Sequence, residues 1–105
     1  MQIHIDTPDL MTRVRLESRW RAAGAEVTGS GEPAAPDLIV IDLGARDVAS
    51  VSTWRERCPG AAILAFGPHV EGGMLKAARE AGADEVVVRG KVADRVAKKI
   101  ADDTA

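Results

Sequence analysis

The stretch that decides the fold is Pro36-Asp37-Leu38-Ile39-Val40-Ile41-Asp42-Leu43. Within it, Leu38–Ile41 is a continuous apolar run, mostly β-branched, that lies between two aspartates. A run of this kind is typical of a parallel strand covered on both faces, because the side chains on both of its faces are apolar. The stretch therefore predicts the central strand of an α/β domain, with Asp42 at the carboxyl end of that strand.

Working outward from this strand, apolar stretches with strand character alternate with helical patterns. Four further strands are predicted, at 1–6, 26–28, 61–66 and 85–88. Helical spacing of apolar residues predicts a first helix with Thr7 as its N-cap and Gly24 at its end, then helices at 47–58 and 71–81 and a last helix carrying Val92, Val96 and Ile100. Five strands alternating with about four helices predict a flavodoxin-like, doubly wound parallel sheet of strand order 2-1-3-4-5, with its ligand crevice at the carboxyl ends of the strands.

The composition bounds the function classes. With 105 residues, 46% of them hydrophobic and 29% charged, the chain is expected to form one globular domain over residues 1–105. Its net charge of −2 lacks the positive excess that phosphate contacts need, which disfavours nucleic acid as a partner. A single cysteine, and no recognisable secretion signal or long apolar run, lead us to expect a cytoplasmic protein without membrane attachment.

Two acidic residues end predicted neighbouring strands. Asp6 follows the first strand and Asp42 the third, so in the 2-1-3-4-5 order both are expected at one crevice. Carboxylate oxygens are ligands that Mg²⁺ prefers, and one or two of them can suffice together with carbonyls and waters. A weak Mg²⁺ site is one interpretation. The other is that both aspartates cap loops and helix starts, as strand-terminal aspartates often do.

The layout resembles the receiver domain of two-component response regulators, the chemotaxis-regulator-like fold. Residues 36–43 look like the third strand of a receiver, and Ala81-Gly82-Ala83-Asp84-Glu85-Val86-Val87-Val88-Arg89 looks like the end of its fourth helix and its fifth strand. The start of the first helix, residues 9–16, is also similar to that of a group of short bacterial receiver-like proteins. The resemblance implies that Asp42 stands at the phosphoacceptor position.

Departures from the receiver pattern fall on the residues that support phosphoryl chemistry. The acidic pair after the first strand reads Ile5, Asp6, so one acid is kept, and Gly67 stands where receivers have a Ser or Thr hydroxyl. Arg89 replaces the lysine after the fifth strand, which keeps the charge but not the compact geometry. Val86 stands in place of the switch aromatic. The resemblance thus implies a receiver that has lost part of its machinery.

The chain is also shorter than a typical receiver. The deficit falls before the third strand, where residues 29–36 show no helical pattern, so we expect the second receiver helix to be missing or reduced. Thin cover of the sheet near strands one and three would expose a contiguous apolar patch there, and such patches usually mark an interaction surface.

The leading hypothesis is a degenerate receiver, or pseudo-receiver: a signalling module that binds a protein partner or a second copy of itself, is not an enzyme and requires no cofactor. The first alternative is a phosphorylatable receiver. In it Asp42 would attack the phosphorus of a donor, Asp6, Asp42 and the carbonyl of Gly44 would hold Mg²⁺ weakly, and Arg89 would be the phosphoryl counterion. The second alternative is a flavodoxin-like domain that binds a small ligand or nucleotide at the loop containing Gly67 and Gly72-Gly73.

Overall fold

The computed structural model describes residues 1–29, 35–68 and 72–104 of the chain. Its five strands are β1 (Gln2–Asp6), β2 (Glu26–Thr28), β3 (Leu38–Asp42), β4 (Ala62–Gly67) and β5 (Glu85–Val88). Its four helices are α1 (Leu10–Ala22), α2 (Ala49–Arg57), α3 (Gly72–Ala81) and α4 (Arg89–Thr104). None of the helices in these described ranges is long and apolar enough to cross a membrane.

The strands form one parallel sheet in the order β2-β1-β3-β4-β5. This confirms the predicted flavodoxin-like topology, with β3 at the centre. The register sets Ile5 opposite Val40 and Asp6 opposite Ile41. Because all strands run the same way, the carboxyl ends of β1, β3, β4 and β5 meet at one edge of the sheet, and that edge carries the candidate site.

A helix layer covers each face of the sheet. On one face, one apolar cluster packs against the strands. It contains Leu16 and Trp20 of α1 and Val92, Val96 and Ile100 of α4. On the other face, Val51 and Trp54 of α2 and Ala78 of α3 pack against Ile39, Ile41, Ile63 and Ala65. All five residues of β3 are buried, as the apolar run predicted.

The start of α1 differs from the prediction. Asp9, and not Thr7, caps the helix, because the Asp9 carboxylate accepts a hydrogen bond from the backbone N–H of Met11 at 3.2 Å. Thr7 precedes the cap: its hydroxyl accepts the backbone N–H of Asp9 at 3.2 Å and donates to the carboxylate of Asp42. The predicted end of the helix is confirmed at Gly24, whose φ of 105° is in the left-handed region that favours glycine.

The region of the second receiver helix is described only in part. Residues 29 and 35–37 are not helical, and residues 30–34 of the predicted loop lie outside the described residues. The apolar patch expected on the sheet near β1 and β3 is a wrong prediction for the described residues, since His4, Ile39 and Ile41 are all buried. The large apolar side chains that are exposed lie instead on α1: Leu10, Met11 and Val14.

Arg55 of α2 fixes the opposite, amino-terminal edge of β4 to the turn after α3. Its guanidinium donates to the carbonyls of Ala61 and Gly82 at 2.7 Å and to the Asp84 carboxylate at 2.8 Å. The same carboxylate oxygen accepts the backbone N–H of Ile63. One side chain therefore joins α2, β4 and the α3–β5 turn.

An ion triad at the beginning of β5 holds α4 in place. Glu85 accepts from Arg95 at 2.6 and 2.9 Å and pairs with Lys99 at 2.8 Å. The hydrogen bond from Arg95 and the nearby Lys99 ammonium lower the pKa of Glu85 from 4.5 to about 2. Because α4 begins at Arg89, directly after β5, the triad also helps to fix the position of Arg89 at the other end of the strand.

The triad predicts a pH-dependent contribution to stability. A carboxyl whose folded pKa is depressed stabilises the fold above its unfolded pKa, and this contribution is lost as the pH falls from 4.5 through about 2. Urea unfolding of Glu85→Gln near neutral pH should show a loss of about 1–2 kcal/mol, kept modest by solvent screening of a partly exposed group. The difference from the wild type should shrink towards zero near pH 2.

Glu80→Gln is the matched control, because the Glu80 carboxylate is exposed and lies 3.9 Å from its partner Lys76. It should change the free energy of unfolding by less than about 0.5 kcal/mol. Equal stability of Glu85→Gln and Glu80→Gln near neutral pH would contradict the role given to the triad.

Candidate functional site

The Asp42 carboxylate is the centre of the site at the carboxyl edge of the sheet. Asp42 ends β3 and is 0% exposed. Its Oδ2 accepts a hydrogen bond from the Thr7 hydroxyl at 2.8 Å, and its Oδ1 accepts the backbone N–H of Gly44 at 2.9 Å. The guanidinium of Arg89 lies 3.3 Å from Oδ2 and 3.4 Å from Oδ1. Both oxygens of a buried charge are therefore satisfied by groups of this chain, which is what a buried carboxylate requires.

Arg89 connects this carboxylate to α1. One terminal nitrogen faces Asp42, and the other donates to the Thr12 hydroxyl at 3.2 Å. Thr12 in turn donates to the Asp9 carboxylate that caps α1, and this hydrogen bond holds the pKa of Asp9 below its ordinary value. The guanidinium also lies over the Phe66 ring, with its carbon 5.7 Å from the ring centroid. Arg89, expected as a phosphoryl counterion, thus lies against the Asp42 carboxylate itself and is engaged on three sides.

Asp6 has a different set of partners. Its Oδ1 accepts from Arg46 at 3.1 Å and its Oδ2 from the indole N–H of Trp54 at 2.9 Å. The register sets Asp6 opposite Ile41, so by the alternation of a strand Asp6 shares a face with the α2 layer and Asp42 with the α1 and α4 layer. Asp6 and Asp42 do end neighbouring strands, as predicted, but the structure directs their carboxylates to separate partners.

The residue that faces Asp42 from the end of β1 is Thr7, and not one of the two residues expected there. The acidic pair of receivers was matched to Ile5 and Asp6, and Ile5 is instead fully buried in the core under α1 and α4. The register Ile5 opposite Val40, continued by two residues, sets Thr7 opposite Asp42. The pairing register of β1 with β3 is therefore what identifies Thr7 as the partner of Asp42.

The arrangement does not fit the Mg²⁺ site expected from Asp6, Asp42 and Gly44. Asp42 is paired with the guanidinium of Arg89 and Asp6 with that of Arg46, so a divalent cation at either carboxylate would lie against a positive charge. Gly44 directs its N–H at Asp42. Within residues 1–29, 35–68 and 72–104, no group of three or more His, Cys, Asp or Glu side chains is placed to hold a metal ion.

The position at the end of β4, where receivers have a Ser or Thr hydroxyl, carries no hydroxyl either. Gly67 is the last residue of β4, and Pro68 follows it, with its ring next to Gly44. The glycine-rich loop of the nucleotide hypothesis continues through residues 69–71, which lie outside the described residues.

Comparison with known proteins identifies the fold. No family model and no curated protein sequence matches this chain. Among solved structures, a response regulator receiver domain from Clostridium thermocellum superposes with a TM-score of 0.80 at 13% identity, covering 96% of this chain and 91% of the other. A response regulator from Thermotoga maritima gives a TM-score of 0.79 at 13% identity, over 96% and 94% of the two chains.

A third solved structure carries a different description. A candidate pilus assembly protein from Burkholderia thailandensis gives a TM-score of 0.77 at 21% identity and covers 97% of this chain and 98% of the other. Together these likenesses show that the chain has the fold of response regulator receiver domains over nearly its whole length.

The contact between Thr7 and Asp42 makes a prediction about stability. Thr7→Val keeps the shape of the side chain but removes the hydroxyl, so Asp42 Oδ2 loses a donor in a fully buried position. We expect a loss of about 1–2 kcal/mol in the free energy of unfolding, measured with urea.

Thr53→Val is the control, because the exposed Thr53 hydroxyl donates only within its own helix, to the carbonyl of Ala49. It should stay within about 0.5 kcal/mol of the wild type. If Thr7→Val is no more destabilising than Thr53→Val, the hydroxyl does not hold Asp42 as described.

Proposed function

We propose that this receiver-fold domain is a degenerate receiver that acts in signalling by binding a protein partner, without efficient phosphoryl transfer. The observation that carries the proposal is the enclosure of Asp42. Its carboxylate is 0% exposed, and each oxygen accepts from groups of the chain itself: Thr7, Gly44 and Arg89.

Phosphoryl transfer to a carboxylate needs an oxygen lone pair that approaches phosphorus in line with the leaving group. For Asp42 to attack, the phosphorus would have to reach an oxygen that already accepts a hydrogen bond, from Thr7 at Oδ2 or from Gly44 at Oδ1. The charge on the transferring group also needs positive groups aimed at it, and these are usually a metal ion together with a Lys or Arg. The cation in place, Arg89, is directed at the Asp42 carboxylate rather than at an incoming group.

The protein-binding part of the proposal rests on what the fold leaves exposed. Leu10, Met11 and Val14 are 60%, 82% and 50% exposed, although α1 buries its other face against the sheet. Exposed large apolar side chains that cluster on one element indicate an interaction surface more strongly than scattered ones do. A domain with an enclosed acidic site and such a cluster is suited to recognition rather than to turnover.

Incubation with acetyl phosphate and Mg²⁺, followed by intact mass spectrometry, tests the proposal. We expect the wild-type chain to gain no phosphoryl group under conditions in which an ordinary receiver is labelled. The control is Asp42→Asn, which removes the nucleophile and gives the background for adducts at other residues. A phosphoryl adduct on the wild type that is absent from Asp42→Asn would contradict the proposal and favour the phosphorylatable alternative, with Asp42 as phosphoacceptor.

A further inference from the structure

The sheet has a free edge along β2, which pairs only with β1. Glu26 donates its backbone N–H to the carbonyl of Met1, so the backbone groups of Glu26 face β1. Because these groups alternate from side to side along a strand, the N–H and C=O groups of Val27 and Gly29 face away from β1. Outward backbone groups of this kind form a template with which another strand can pair.

Each of the two outward carbonyls accepts a hydrogen bond from an arginine of α1. Arg21 donates to the carbonyl of Val27 at 2.8 Å, and Arg13 donates to that of Gly29 at 3.1 Å. We call Arg13 and Arg21 the edge clamp. The acceptors that a further strand would need are therefore occupied, and two guanidinium charges lie along the edge.

Gly29 is the place where Arg13 crosses the chain. A Cβ atom at Gly29 would overlap with the Cδ and Cγ atoms of Arg13, so the stem of the arginine packs directly on the glycine. The φ of Gly29 is not in the left-handed region. The glycine therefore matters here for the close approach of Arg13 and not for its own backbone conformation.

We infer that the edge clamp closes β2 to strand pairing and thereby prevents a second copy of this chain from pairing with it edge to edge. A two-fold axis would bring two β2 edges together in antiparallel orientation, with the outward N–H groups of one facing the outward C=O groups of the other. With the clamp in place these C=O groups are already engaged, and the guanidinium charges of both copies would meet at the contact. The inference goes beyond the proposed function and does not depend on the state of Asp42.

The shape of the edge favours a second copy as the strand that the clamp keeps away. β2 is three residues long, and its exposed side chains are those of Glu26 and Thr28, so the edge offers a further strand mainly backbone groups. Specificity for a foreign peptide at a sheet edge comes from pockets for its alternate side chains. A second copy needs no such pockets, because it presents the same backbone groups at the same spacing.

Removal of both guanidinium groups tests the inference. In Arg13→Ala/Arg21→Ala the outward carbonyls of Val27 and Gly29 are free, so copies should pair through β2. Light scattering over a concentration series up to about 1 mM should show a mass that approaches twice that of the wild type. Hydrogen exchange at the amides of Val27 and Gly29 should slow by about tenfold as the concentration of this variant rises, and should not change with concentration in the wild type.

Arg15→Ala/Arg19→Ala is the matched control. It removes two arginines from the same helix, and Arg19 pairs with the exposed Asp94 rather than with the sheet edge. It should keep the wild-type mass. Both double variants carry more negative charge than the −2 of the chain, so a general loss of repulsion between copies cannot explain association of the clamp variant alone.

Gly29→Ala tests the clamp without removing a charge. The added Cβ should displace Arg13 and free one of the two carbonyls, so association should be weaker than in the double variant and should slow exchange at the same two amides. Gly60→Ala is its control, because a Cβ at Gly60 meets no atom within 4 Å, and it should keep the wild-type mass. Cooperative urea unfolding of each variant shows that it is folded.

Several outcomes would overturn the inference. The first is a wild-type mass up to about 1 mM in the folded double variant, or in Gly29→Ala if the double variant does not fold. The second is association without slower exchange at Val27 and Gly29. The third is pairing of the wild type through these two amides, since the edge would then be open with the clamp in place. Phosphorylation of Asp42 would contradict the proposed function and leave this inference standing.

Discussion

A buried carboxylate at the end of the central strand sets the conditions for the rest of this structure. A charge with no contact with water must be fully hydrogen-bonded and paired, or the fold loses stability. Asp42 meets this condition with donors from three places: Thr7 after β1, Gly44 after β3 and Arg89 after β5. The carboxyl ends of β1, β3 and β5 are thereby joined around one side chain. The site therefore also helps to hold the carboxyl edge of the sheet together.

This use of Asp42 has consequences for the neighbouring elements. Arg89 spans from Asp42 to Thr12, and Thr12 reaches the cap of α1, so the crevice and the first turn of α1 share one hydrogen-bonded network. The turn that carries Leu10 and Met11 is therefore held in a fixed position relative to the sheet. A fixed, exposed helix face loses less conformational entropy when a partner binds, which suits a recognition surface.

The sequence predicted the fold well because the strongest signals were long and periodic. The apolar run Leu38–Ile41 placed the central strand, and helical spacing placed Val92, Val96 and Ile100, which are 0–1% exposed. The short signals that mark where a helix begins were less reliable. Thr7 carries the side-chain type of an N-cap, but Asp9 two residues later competes for the same role and takes it. The apolar residues of α1 cover a broad part of its surface, whereas only one side of a helix can pack on the sheet. The sequence of α1 therefore does not show which of these residues face the core.

The residues of the site could be predicted only in part, because Thr7 was missed, and the contacts between them could not be predicted. Asp42 and Arg89 lie together as expected, since both follow strands that end at the same edge. Asp6 and Asp42 lie on opposite faces of the sheet because of the register of β1 against β3. A shift of that register by one residue would move a side chain to the other face. No local pattern specifies that register. For the same reason, neither the role of Thr7 nor the pairing of Asp6 with Arg46 and Trp54 could be predicted from composition or spacing.

Paramagnetic broadening by Mn²⁺ tests most directly whether the groups of this chain fully occupy the Asp42 carboxylate. Mn²⁺ takes the same oxygen ligands as Mg²⁺ and broadens the signals of amides close to where it binds. With millimolar Mn²⁺, the amide signals of Thr7 and Gly44 should broaden no more than those of exposed residues elsewhere in the chain. Selective broadening of these two signals, lost in Asp42→Asn, would show that a cation displaces Arg89 and would contradict the account.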